Sequence, residues 1–193
     1  MVRAGLTLER LVEGGAELAD EIGFEQLSGA ALARKFDVRL PSLYSHVKNL
    51  NTLKAEIAML ALAQLADAAM QAMAGLSGRE ALQALADAHR DYARRHPGRF
   101  TAARHPLTSA QAAASAGPKL TQLIRAVLRG YGVPEDEQVH AVRFLGGFLM
   151  GYITLELATG FSHSAPGPDI SWQRSLDALD VSLRHWPSTP GAN

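Results

Sequence analysis

Residues 36–48 read FDVRLPSLYSHVK. In that run Ser42, Tyr44, Ser45 and His46 bring hydroxyl and imidazole groups close together. Arg39 and Lys48 flank them with positive charge, and Leu40 and Pro41 add a small apolar edge. A piece about two helical turns long cannot wall off a catalytic cleft, which needs a nucleophile, a base and a group that orients the base. It can present a dense row of hydrogen-bonding groups to a surface that fits it. A DNA major groove, about 12 Å wide, admits one helix and displays base-edge acceptors, donors and thymine methyls to it.

Such a helix must be held by others, and helical periodicity runs through the whole chain. A first helix is expected at about 7–22, with Leu8, Leu11, Val12, Leu18, Ala19 and Ile22 on one face and Gly23 as its stop. A second is expected at about 28–36, capped by Ser28. A third, at about 41–47, opens on Pro41, whose missing N–H costs nothing in a first turn. The last two are joined by DVRL, where Asp37 falls at the position that asks for a left-handed residue, a conformation Asp tolerates better than most side chains. These are the proportions of a helix-turn-helix module, whose third helix enters the major groove. Leu43 and Val47 are expected to pack this short helix on the other two.

Charge supports the same reading. The net charge of zero argues against a nucleic-acid binder, but its distribution is uneven. Residues 1–27 hold Arg3 and Arg10 against Glu9, Glu13, Glu17, Asp20, Glu21 and Glu25, a balance of minus four. Residues 28–54 hold Arg34, Lys35, Arg39, Lys48 and Lys54 against Asp37 alone, a balance of plus four. A phosphate backbone meets local charge, not the total.

The run LTLERLVEGGAELADEIGFEQLSGAALARKFDVRLPSLYSHVKNLNTLKAEI, with LPSLYSHVKN at its centre, resembles the TetR/AcrR (tetracycline-repressor-like) transcriptional regulators. The resemblance implies that Leu40, Pro41, Ser42, Ser45 and His46 face bases or thymine methyls and that Tyr44 meets phosphate. It also implies that Ser28, Lys48 and Lys54 touch the backbone, and Arg39 joins them as the basic residue entering the helix. Asp37 stands where the family usually has a turn glycine. The implied function is a ligand-responsive regulator, a repressor, that binds a palindromic operator in double-stranded DNA as a homodimer and is released by an apolar or amphipathic small molecule.

The expected fold class is all-α, an N-terminal three-helix helix-turn-helix domain followed by a C-terminal helical ligand-binding and dimerisation domain. Residues 1–50 are assigned to the first, 51–187 to the second and 188–193 to a disordered tail. Further helices are expected at about 51–74, 77–95, 118–130, 134–159 and 171–186, with 99–118 irregular or holding one short helix. In the fifth helix Leu82, Leu85, His89, Tyr92 and His96 recur at spacings of 3, 4, 3 and 4, a face that is either a core stripe or a cavity wall. His89, Tyr92, Phe100, Leu107, Leu123, Phe144, Phe148 and Tyr152 are the candidate effector-binding residues. The helix over 134–159 is apolar almost all round, which calls for neighbours on every side. In the last helix Trp172, Leu176, Leu179, Leu183 and Trp186 form a seam at spacings of 4, 3, 4 and 3. With Leu149 and Ile153 this seam is the expected homodimer interface, the competing arrangement being a seam packed within its own chain.

No enzyme is expected. The chain has no cysteine, no Gly-x-Ser-x-Gly elbow, no phosphate-cradling glycine loop and no His-Glu-x-x-His pair. Neither a metal nor a cofactor is expected, since no two histidines stand four apart. A DNA-binding helical protein without an effector and a helical enzyme with a nonlocal site remain the alternatives. The N-terminal run reaches acidic residues before any apolar stretch that could serve as a secretion signal, so a cytoplasmic protein is expected. The longest uncharged apolar stretch, residues 144–155, is short of the roughly 20 residues that cross a bilayer and reads as a buried core helix.

Overall fold

A computed structural model describes residues 6–187; the expected disordered tail lies outside these. Among the described residues there are ten α-helices, one short 3-10 turn and no strand, so the chain is all-α. None of these helices is long and apolar enough to cross a membrane.

The local chemistry explains the first four helices. Thr7 caps α1 (Leu8–Ile22), its hydroxyl oxygen accepting from the Arg10 N–H at 3.3 Å, and Gly23 ends it at φ 92°. Ser28 caps α2 (Gly29–Lys35) by accepting from the Ala31 N–H at 3.2 Å. Asp37 turns the chain at φ 51°, the left-handed conformation its position demands. Then α3 (Leu40–Tyr44) starts with Pro41 in its first turn. It is shorter than periodicity predicts, because Asn49 already caps α4 (Leu50–Met73). The Asn49 side-chain oxygen accepts from the Thr52 N–H at 2.8 Å and from its hydroxyl at 3.1 Å. Residues 45–48 are thereby spent on the turn between two closely spaced helices.

The remaining helices are α5 (Gly78–Arg95), α6 (Pro97–Ala102), α7 (Ser109–Ala114), α8 (Gly117–Gly130), α9 (Gln138–Leu157) and α10 (Pro168–Arg184). The region expected to be irregular therefore holds two short helices, α6 and α7. A capping box, Thr108 with Gln111, starts α7. Helices of about six residues carry too little periodicity to be seen in advance.

The chain divides into two compact units, one running to Gln64 together with Tyr92–Gly117, the other Leu65–Asp91 together with the residues from Pro118 onward. In the first, Leu11, Leu18, Phe24, Leu27, Leu32, Leu43, Val47, Leu53, Ile57 and Ala102 share one buried core. Three elements of sequence separation thus meet: the helix-turn-helix, the first part of α4, and α6. A side chain at Gly15 would meet the Ile57 methyl at 2.7 Å, so α1 and α4 cross in close contact. At Gly98 a side chain would collide with the backbone of Ala19 and Asp20, so α6 starts directly against the last turn of α1. Asp20 secures that contact. Its carboxylate accepts from the Arg99 N–H at 2.9 Å and lies 3.1 Å from Arg99 Nε and 3.2 Å from His96 Nδ1.

The second unit corrects one expectation. Leu149, Ile153, Trp172, Leu176, Leu179 and Leu183, expected to face a partner subunit, are all buried within the chain at 4% exposure or less. Their row closes inward for three reasons. Helices α9 and α10 pack together, Trp172 Nε1 donates to Asp87 of α5 at 2.7 Å, and Arg79 of α5 meets Asp177 at 2.6 Å. Arg90, itself buried, pairs with Glu156 through Nε at 2.8 Å and Nη2 at 2.6 Å, meets Asp169 at 2.8 Å and lies over the Trp172 ring. A buried cation answered in this way is satisfied, and removing one partner would leave charge stranded.

The two kinds of glycine lead to a test. Gly98→Ala forces a methyl into backbone that cannot yield, and is expected to cost about 3 kcal/mol, the upper range of overpacking. Gly147→Ala, where nothing lies within 4 Å, is expected to leave helix content intact and to change stability by no more than about 1 kcal/mol in the monomer. Urea unfolding followed by circular dichroism measures both; equal effects would refute the close approach at Gly98.

Candidate nucleic-acid interface

The helix-turn-helix displays a continuous polar surface. Arg39, Leu40, Pro41, Ser42, Tyr44, Ser45, His46 and Lys48 are all exposed, while Leu43 and Val47, at 0% and 5%, anchor the segment in the core. Burial of Leu43 in α3 and of Val47 in the turn after it fixes the orientation of the segment and leaves its other side chains to the outside. Ser28 is exposed at the start of α2. These nine sequence-expected residues are therefore brought onto one module with no burial to overcome.

Two of them are also held from beneath. Gly29 has no side chain, and one there would lie 2.7 Å from the Tyr44 hydroxyl and 2.8 Å from a Leu40 methyl. Tyr44 thus rests on α2 and remains 39% exposed, serving as both packing and surface. Ser45 donates its hydroxyl proton to the Ser42 carbonyl at 2.7 Å.

Lys54, the tenth residue, sits differently. Its side chain is 14% exposed, its Nζ lies 3.6 Å from Glu25, and it stands over the Phe24 ring at 4.9 Å. Lys35 is likewise taken up, by Glu17 at 3.3 Å and Glu21 at 3.0 Å, and this pairing holds its pKa above the ordinary lysine value against the opposing pull of desolvation. Much of the positive excess over residues 28–54 therefore answers the negative excess over 1–27, within the same module. Arg34, Arg39 and Lys48 remain toward the outside. Arg34 and Arg39, with Ala33, Asp37 and Val38, line a shallow depression of about 530 Å3 at the turn. Arg34 occupies no motif position, so only the local charge pointed to it.

The effector candidates divide between the two units. Tyr92, Phe100 and Leu107 belong to the first unit, and His89, Leu123, Phe144, Phe148 and Tyr152 to the second. Tyr92 is buried and donates to the Gln64 side chain at 3.1 Å, and burial raises its pKa. Phe100 is wholly buried. His89 is buried with Nδ1 2.8 Å from the Leu85 carbonyl; desolvation lowers its pKa, which makes it a neutral donor to that carbonyl. Leu107 and Leu123 are half-buried and Phe144 is exposed. Phe148 and Tyr152 do meet, in an aromatic cluster with Trp172 and Phe161, and the Tyr152 hydroxyl donates to the Pro168 carbonyl at 2.7 Å. Among the described residues no group of three His, Asp or Glu side chains is placed to hold a metal ion.

Known proteins resemble this chain along most of its length. Residues 82–179 match the family described as tetracyclin repressor-like, C-terminal domain. The HTH-type transcriptional regulator YobS of Bacillus subtilis (strain 168) is 31% identical over 182 residues, covering 94% of this chain and 91% of that one. The HTH-type transcriptional regulator Rv0681 of Mycobacterium tuberculosis is 30% identical over 156 residues, covering 80% and 72%. A TetR variant from Acinetobacter baumannii AYE, solved in complex with minocycline, shares the fold at a TM-score of 0.71 and 19% identity, over 96% of this chain and 100% of that one. The exposed row on α3, the family match across α5 to α10 and the two regulators at 30% identity or more agree: the chain belongs to the TetR family of transcriptional regulators.

Proposed function

We propose that the protein is a ligand-responsive repressor that binds a palindromic operator as a homodimer through Ser28, Arg34, Arg39–Ser42, Tyr44–His46 and Lys48. The observation that carries this reading is the pattern on and after α3, where Leu43 and Val47 are buried while Arg39, Ser42, Tyr44, Ser45, His46 and Lys48 stand exposed beside the apolar Leu40 and Pro41. Lys54 is left out of the contact set, since it already has an anion and a ring for partners.

A second copy is called for by the outer side of α9 and α10. Phe144, Leu155, Ile170 and Val181 are exposed there at 43% to 58%. Gly147 and Gly151 lie on the same side of α9 as Phe144 and Leu155, and a side chain at either would meet nothing within 4 Å. Glycine inside a helix costs about 1 kcal/mol relative to alanine. Keeping two on an open face makes sense where another backbone comes close, and a second copy of these two helices supplies one. The dimer face is thus the side opposite the buried seam.

The effector is placed in the second unit, where Phe148 and Tyr152 offer apolar and aromatic surface with one oriented hydroxyl, the composition of small-molecule sites. That a relative of the same fold is solved with minocycline supports a drug-sized ligand. A ligand releases DNA only by preferring the conformation whose reading helices are wrongly placed, and coupling of about 1–3 kcal/mol is usual.

Three outcomes are expected. Selection from random duplex DNA yields an imperfect palindrome with half-site centres about 34–36 Å apart or a small multiple of it. On that operator the double variant Tyr44→Ala, Lys48→Ala loses affinity across all sequences, whereas His46→Ala relaxes base preference by about 1–3 kcal/mol at one position. A double variant that binds as the wild type does would sink the assignment. In sedimentation at micromolar concentration the wild type runs as a dimer and Gly147→Leu as a folded monomer; a wild-type monomer refutes the dimer. In release assays with pooled apolar compounds, Phe148→Ala changes release and leaves ligand-free operator binding unchanged. Failure of both together assigns Phe148 to the core.

A further inference from the structure

Most acidic side chains of α1 and the turn after it have partners. Lys35 answers Glu17 and Glu21, Lys54 answers Glu25, and His96 and Arg99 answer Asp20. Glu9 and Glu13 stand apart from this set. They are four residues apart, hence neighbours on one helical face where like charges repel. Glu56 of α4 joins them, and the three acidic residues line a depression of about 330 Å3 together with Leu8, Val12, Met59 and Leu60. Hydrogen bonds from the Glu9 backbone N–H and the Thr7 hydroxyl hold the Glu9 carboxyl below its ordinary range, so it stays charged. The wall is firm on one side, because α1 and α4 cross closely at Gly15 and Ile57.

Two unfavourable features therefore coincide: three anions gathered with no cation among the described residues lining the depression, and apolar side chains open to water, Leu8 being 37% exposed. One kind of occupant relieves both. It must be apolar enough to cover the apolar side chains, carry positive charge toward the acidic residues, and be small, since the volume is at the lower end of the range of about 300–1,000 Å3 common for small-molecule sites. We propose that this depression between α1 and α4, within the DNA-binding unit, is a binding site for a small lipophilic organic cation. Its position and charge differ from those of the aromatic cluster assigned to the effector, and the proposal does not depend on that assignment. Glu13 and Glu56 provide the charge complementarity, and Leu8, Val12, Met59 and Leu60 the contact area.

The probe is tetraphenylphosphonium, titrated into the full chain carrying 13C-methyl methionine. Among the methionines of the described residues only Met59 lines the depression, so its methyl resonance reports this site, while Met150 reports the second unit. Saturable binding is expected, with the Met59 methyl shifting along the binding curve. The neutral analogue triphenylphosphine oxide is expected to bind more weakly by at least about fivefold, and Glu13→Gln with Glu56→Gln to weaken the cation by a similar factor, as two partly exposed ion pairs would. Both glutamine replacements remove repulsion among the acidic residues lining the depression, and the neutral-analogue comparison uses the wild type alone. A Met59 methyl that stays in place at saturation, or equal affinity for cation and neutral analogue, overturns the proposal. A shift confined to Met150 also overturns it while supporting a ligand site in the second unit.

Discussion

The contact at Gly98 brings α6 against the helix-turn-helix. Helix α6 begins with its backbone against Ala19 and Asp20, a separation that only glycine permits. The N-terminus of α6 has free amides, and its own N-cap residue, His96, supplies no side-chain cap. Asp20 does so from α1, accepting from the Arg99 N–H and facing the Arg99 guanidinium, and a carboxylate at a helix start is favoured by the helix dipole as well. Arg99 then reaches Gln64 of α4 at 3.3 Å, and Tyr92 donates to the same Gln64 oxygen. One carboxylate and one amide thus tie α1, α4, α5 and α6. Ala102 joins the core that the first three helices share with α4, and the His105 ring packs against Phe24.

This arrangement changes how the charge along the chain is understood. A protein of zero net charge with an acidic start and a basic stretch after it invites a separation of roles, one segment repelling DNA and the next attracting it. The ion pairs show a closer relation, in which Lys35 and Lys54 are held by the acids of the preceding segment. The electrostatic contribution to DNA binding scales with the number of phosphates neutralised. Of the five basic residues between 28 and 54, Arg34, Arg39 and Lys48 are the three that no acid of the preceding segment holds, so a contact to phosphate through this stretch would rest on them and would carry a modest salt dependence.

Legibility from sequence followed the range of the interactions. The cap at Ser28, the left-handed Asp37 and the burial of Leu43 and Val47 were readable from nearby residues, whereas Thr7, expected as the first helical residue, is the cap of α1. The Asn49 cap was overlooked, and with it the early end of α3. Asp20 with Arg99, and Arg90 with Glu156, join residues far apart in sequence and left no local trace. The α10 seam is the instructive case. Spacings of 4 and 3 establish that Trp172, Leu176, Leu179 and Leu183 share a face, but periodicity does not say which way a face looks. In α9, apolar on both sides, the same pattern admitted an inward and an outward row, and the inward one is Leu145, Leu149 and Ile153.

The recognition segment shows what such precise support accomplishes. Leu40 and Tyr44 lie on Gly29, and Leu43 and Val47 are sunk in the core, so four of its residues fix the orientation of the rest. Ser45 spends its only proton on the Ser42 carbonyl and therefore offers a base edge lone pairs alone. In the major groove the matching partners are the amino groups of adenine and cytosine. Arg39 and Lys48, by contrast, can only donate, and they stand at the two ends of the segment. Donors at the ends and an acceptor near the middle make a polarity that a uniform anionic surface does not require. Charge alone would hold such a segment on any DNA; under the proposed contact set, the internally committed Ser45 hydroxyl is the group that would discriminate.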